Sequence, residues 1–126
     1  MRAVDTNVLL RMLLRDDAAQ LQAAEAFAAG GGWIPLLVLA EAALVLQARG
    51  WDRRVIAAAV EMLLRHETLA VEDPERVGRA LAQFRLHAGV EFADCLILES
   101  ARAAGHLPLG TFDRRLGRLP GATRLG

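Results

Sequence analysis

Short apolar runs bounded by turn residues alternate with longer helical stretches along this chain, and that alternation restricts the fold more than any other feature. Residues 2–4, 33–34, 68–71 and 107–111 have the length and composition of brief strands, the last in spite of Pro108, and residues 122–125 follow a Pro120-Gly121 turn as a final one. The intervening stretches begin and end on helix punctuation. Thr6 or Asn7 caps a first helix through Val8, Leu9, Met12 and Leu13. Asp16 or Asp17 caps a second, with Leu21, Ala24 and Phe27 turned inward and a stop at the Gly30-Gly31-Gly32 triplet. Pro35 opens a third helix that runs through Glu41 to Arg49 and halts at Gly50. Asp52 caps a fourth, whose apolar face is Val55, Ile56, Ala59, Val60 and Leu63. Asp73 and Pro74 start a fifth, ended by Gly89, and a sixth carries Asp94 and finishes near Gly105. Short apolar strands alternating with helices predict an α/β fold with a parallel sheet covered on both faces.

With 126 residues, 54% of them hydrophobic, the chain has the size of one domain spanning residues 1–126. Its longest uncharged run, between Glu25 and Glu41, is broken by three glycines and Pro35, whereas a membrane helix needs about 20 mostly apolar residues. No membrane span is expected. Asp5 and Arg11 interrupt the N-terminus before any adequate signal-peptide core, and a single cysteine, Cys95, excludes an internal disulfide, so a cytoplasmic location is expected. Formal net charge is zero, which argues against a partner held by bulk electrostatics alone. All fifteen basic residues are arginine, which a GC-rich coding bias explains better than a phosphate-binding function does.

Against that background four acids stand out. Asp5 closes the first strand and Asp113 follows the fourth, the ends at which open α/β sheets gather functional groups. Glu41 has Leu37 and Val38 one turn before it and Leu44 and Val45 one turn after. Asp94 has Val90 before it and Ile97, Leu98 and Ala101 after. Helical spacing therefore predicts that these two carboxylates emerge from apolar faces, where an isolated charge costs several kcal/mol unless it is paired, protonated or bound to a cation. Other chemistries lack their parts. Ser100 is the only serine and sits mid-helix, no phosphate-cradling glycine loop is present, and His66, His87 and His106 are too dispersed for a helical zinc pair. Clustered carboxylate oxygens suit a hard divalent ion such as magnesium or manganese, which would relieve their mutual repulsion.

The motifs Asp5-Thr6-Asn7, Leu39-Ala40-Glu41, Phe92-Ala93-Asp94 and Thr111-Phe112-Asp113 together resemble the four acidic motifs of PIN-domain ribonucleases. In length and order the chain is similar to the VapC toxins of bacterial toxin–antitoxin pairs. The resemblance implies a three-layer α/β/α sandwich with a central, mainly parallel sheet. It also implies an endoribonuclease that uses Mg2+ or Mn2+ to activate water, an antitoxin that masks the site, and a homodimer. Carried over position by position, Asp5, Glu41, Asp94 and Asp113 become catalytic metal ligands, with Thr6, Asn7 and Thr111 as hydrogen-bonding groups around them.

Plainer roles stand beside these. Asp5 and Asp113 precede helices, so each also fits a helix cap, as do Asp16, Asp17, Asp52 and Asp73. Glu41 and Asp94 also fit buried salt bridges with arginines. Arg11, Arg15, Arg114, Arg115 and Arg118 are candidate RNA phosphate contacts or ordinary solvated faces, and Glu91 is an extra ligand or a solvated neighbour of Asp94. Two other functions remain open at this level. One is a haloacid-dehalogenase-like phosphatase with Asp5 as nucleophile, although Asn7 stands where that family expects a second acid. The other is a non-catalytic module that binds RNA or protein.

Overall fold

The computed structural model describes all residues, 1–126, and its backbone divides into two compact units, Met1–Pro74 and Glu75–Gly126. Six α-helices and four short strands follow in the expected alternation, and no helix is long and apolar enough to cross a membrane.

The first unit holds α1 (Thr6–Leu14), α2 (Ala18–Ala29), β1 (Gly32–Ile34), α3 (Leu36–Ala48), α4 (Arg53–Leu64) and β2 (Leu69–Val71). Strand β1 pairs in parallel with β2, in the register Gly32 to Leu69, Trp33 to Ala70 and Ile34 to Val71. On its other side β1 receives a single bridge from Ala3, with Val4 N donating to Trp33 O at 2.9 Å and Trp33 N to Arg2 O at 2.8 Å. The strand expected over residues 2–4 is thus reduced to one bridge, because Asp5 turns the chain into α1 at once. Gly32 permits the close approach of these rows: a Cβ there would fall 2.9 Å from a Leu69 methyl and 3.2 Å from Val4.

Aspartates start three of the helices in this unit. Asp5 Oδ1 accepts from Val8 N at 3.0 Å, Asp17 Oδ1 from Gln20 N at 3.0 Å, and Asp52 Oδ1 from Arg54 N at 2.8 Å. The cap of α1 is therefore Asp5 rather than Thr6 or Asn7. Asp16 is not a cap but an ion-pair partner, 3.0 Å from Arg11 and 3.7 Å from Arg49. Helix α1 packs on α2 and α3, and the core is built from Leu9, Leu10, Ile34, Leu39, Leu46, Ile56, Val60 and Leu63. Val55 departs from its expected place: it is exposed, and Ala57 is buried on α4 instead.

The second unit starts at Glu75 within α5 (Pro74–Leu86), followed by α6 (Phe92–Ala104), β3 (Leu109–Thr111), a 3-10 turn at Leu116–Arg118 and β4 (Ala122–Arg124). Val77, Ala80, Leu81 and Phe84 of α5 and Phe92, Cys95, Leu96 and Leu98 of α6 form its core, and Phe84 meets Phe92 edge to face with centroids 5.9 Å apart. Strands β3 and β4 pair in parallel, Leu109 to Ala122 through Thr111 to Arg124. Strand β3 begins after Pro108, whose missing N–H shortens the expected run. Glu99 of α6, 2% exposed, is the charged residue buried in this core. It is 3.3 Å from Arg102 and 3.7 Å from Arg79, so its charge is compensated from both α6 and α5.

Candidate functional site

In the first unit, Asp5 stands at the corner where the Ala3 bridge ends and α1 begins. One carboxylate oxygen caps the helix, and the side chain is exposed. Thr6, the next residue, donates its hydroxyl to Glu41 Oε2 at 3.4 Å, which ties the α3 acid to the first turn of α1. Asp5 and Glu41 therefore occupy the same end of the α1–α3 pair. Asn7 is exposed and lines, with Asp5, Arg11 and Phe27, a groove of about 360 Å³ between α1 and α2.

Glu41 is not buried. Leu37 is 73% exposed and Leu44 45%, and Glu41 lies on the same solvated stripe. Helix α3 is apolar on nearly every face, so its aliphatic neighbours alone do not identify the inward side. Packing against α1 and α4 selects Leu39, Ala42, Ala43 and Leu46. Burial therefore imposes no cost on the charge of Glu41.

In the second unit burial does bear on the charge of Asp94. Its carboxyl is half-buried in the first turn of α6, and its pKa is raised above the ordinary carboxylate range. Burial is the larger cause, followed by the charges of Glu91 and then Asp113. The motif at the start of α6 and the motif after β3 thus share one electrostatic environment. Asp113 is exposed, and its Oδ1 accepts from Leu116 N at 2.8 Å, the cap-like role weighed for it from sequence. Thr111 Oγ1 accepts from Asp113 N at 3.0 Å, so this hydroxyl holds the backbone beneath the acid. Arg114, Arg115 and Arg118 follow on the surface, whereas Arg11 is paired to Asp16 at 3.0 Å and Arg15 to Glu25 at 3.5 Å.

No three His, Cys, Asp or Glu side chains stand together as a ready group of metal ligands. The donors present are nonetheless of one chemical kind. Asp5 with Glu41 in one unit, and Asp94 with Glu91 and Asp113 in the other, offer carboxylate oxygen, and the pKa of Asp94 is raised first by burial and then by its two acidic neighbours. Carboxylate oxygen is the donor chemistry that a hard divalent ion takes.

Sequence reasoning missed Glu99. Cys95 and Leu96 lie one turn before it, the same signal that singled out Asp94, but one of its partners, Arg79, belongs to another helix and leaves no local trace.

The sequence model of the PIN domain matches residues 2–122. The chain belongs to the PIN domain family. Its six helices and parallel strands accord with the three-layer α/β/α sandwich of that family. PIN domains are generally nucleases, and they typically use divalent metal ions. No curated protein and no solved structure matches this PIN domain.

Proposed function

We infer that this PIN domain is a divalent-metal-dependent endoribonuclease, a cytoplasmic toxin of the VapC type, built as one domain over residues 1–126 and acting as a homodimer restrained by an antitoxin. The observation that carries the reading is the PIN match over residues 2–122, which takes in all four acidic motifs, and within it the proton affinity of Asp94 is increased by burial and then by Glu91 and Asp113. A carboxyl so placed is destabilised when empty-handed and favoured when a cation is near.

Asp5, Glu41, Asp94 and Asp113 would hold Mg2+ or Mn2+. When bound, the ion supplies water of lowered pKa and neutralises charge on the phosphodiester. The chain's own residues do the positioning. Asp5 has one oxygen fixed by the Val8 N–H, which sets the direction of the other. Thr6 fixes one oxygen of Glu41, and the Thr111 hydroxyl together with the Leu116 N–H fixes Asp113 from behind and in front.

Purified protein is expected to cleave RNA with magnesium or manganese and to stop in chelator. Asp5→Asn and Asp94→Asn are each expected to remove cleavage, with a loss of at least about 100-fold. Undiminished cleavage by both variants would sink the reading.

A further inference from the structure

We propose that Arg115 is a seated phosphate contact for the RNA substrate and that Gly89 is its seat. This rests on the ribonuclease reading above. Gly89 closes the turn between α5 and α6 at φ +88°, two residues before Glu91 and five before Asp94. A Cβ built there would fall 2.6 Å from Arg115 Cδ, 3.0 Å from its Cζ and 2.5 Å from Nη1. The outer half of the arginine thus lies flat across the glycine backbone, in space that any other residue would fill. Arg115 itself follows Asp113 by two positions. The guanidinium therefore spans from the segment behind one acidic motif to the segment ahead of the other, whose charges already act on each other.

The distribution of ion pairs points the same way. Arg11, Arg15, Arg49, Arg65, Arg79 and Arg102 all have acid partners. Arg114, Arg115, Arg118 and Arg124 have none, and Asp113 is the one acid within residues 111–126. Gly117 lets the 3-10 turn approach β4 so closely that a Cβ would fall 2.8 Å from Arg124 Cβ, so the segments that carry Arg118 and Arg124 pack together. An acidic centre repels a polyanion, and a net-neutral chain has no bulk field to compensate. Unpaired guanidinium beside that centre supplies local attraction, and a guanidinium already held in place loses less freedom on gripping phosphate than a waving one.

The test is binding of a fluorescently labelled single-stranded oligoribonucleotide in chelator, read by anisotropy across a salt series, so that it does not depend on turnover. Arg115→Ala is expected to weaken binding about three- to tenfold and to flatten the log–log salt slope by about 0.7, the contribution of one phosphate contact on a single strand. Arg115→Lys should recover part of the affinity. Gly89→Asn carries a Cβ at a backbone position that strains any side chain, so it should reproduce the loss of affinity while staying folded with a melting temperature below that of the wild type. Combined with Arg115→Ala it should add nothing further. Arg54→Ala, an unpaired arginine of α4, is the control. Equal affinity in Arg115→Ala, an equal loss in Arg54→Ala, or additive losses in the Gly89→Asn double variant would overturn the proposal. Arg115-dependent binding by a protein that fails to cleave RNA with magnesium or manganese would instead leave the phosphate seat standing and remove the nuclease.

Discussion

At the scale of single residues, Asp94 couples the candidate chemistry to stability. Its folded pKa is raised above the ordinary 3.8, so the folded chain binds more protons than the unfolded one between that value and the raised one. Stability then falls as pH rises through that window and stays at the lower level above it. Asp94→Asn removes the penalty, and metal-free protein carrying it should melt at a higher temperature than wild type at neutral pH, with a flatter profile toward acid. Thermal melts in chelator at a series of pH values read this directly, and a variant that melts lower at neutral pH would contradict it. Glu99 makes the opposite case. Its buried carboxylate is matched by Arg79 and Arg102, so Glu99→Ala should cost about 2 kcal/mol or more in urea unfolding, from lost charge-assisted bonds and the space left in the core. Glu99→Gln, which keeps the shape, should cost less.

Among the elements, what was legible in the sequence follows from how local the cause is. Helix starts at Asp17 and Asp52, the stop at Gly105 and the strands around Trp33, Ala70 and Thr123 were all readable, because glycine, proline and aspartate act on backbone within a few residues. What escaped depended on partners far along the chain. The inward side of α3 is chosen by α1 and α4, so Leu37 and Leu44 look like core in sequence and lie in solvent in the structure. Glu41 lies in solvent for the same reason. Thr6 was grouped with Glu41 only through the family resemblance, since nothing in the spacing of residues 6 and 41 foretells their contact. The caps also yield numbers. Asp17→Ala and Asp52→Ala should each cost about 1 kcal/mol, and because they start separate helices the double variant should cost about their sum in denaturant unfolding.

For the molecule as a whole, the division at Pro74 sets a further expectation. Each unit is smaller than about 80 residues, a size at which one core supplies only a few kcal/mol. The PIN match runs across the boundary, so the one-domain reading predicts a single cooperative unfolding transition by circular dichroism and by calorimetry alike. Two separated transitions would count against it. Asp5, finally, divides its labour: Oδ1 anchors the start of α1, while Oδ2 is left to whatever approaches. Asparagine begins a helix as well as aspartate does. An amide at this one place therefore gives a silenced chain that keeps its shape, an allele with which geneticists can tell the harm done by an act from the harm done by a collapsed protein.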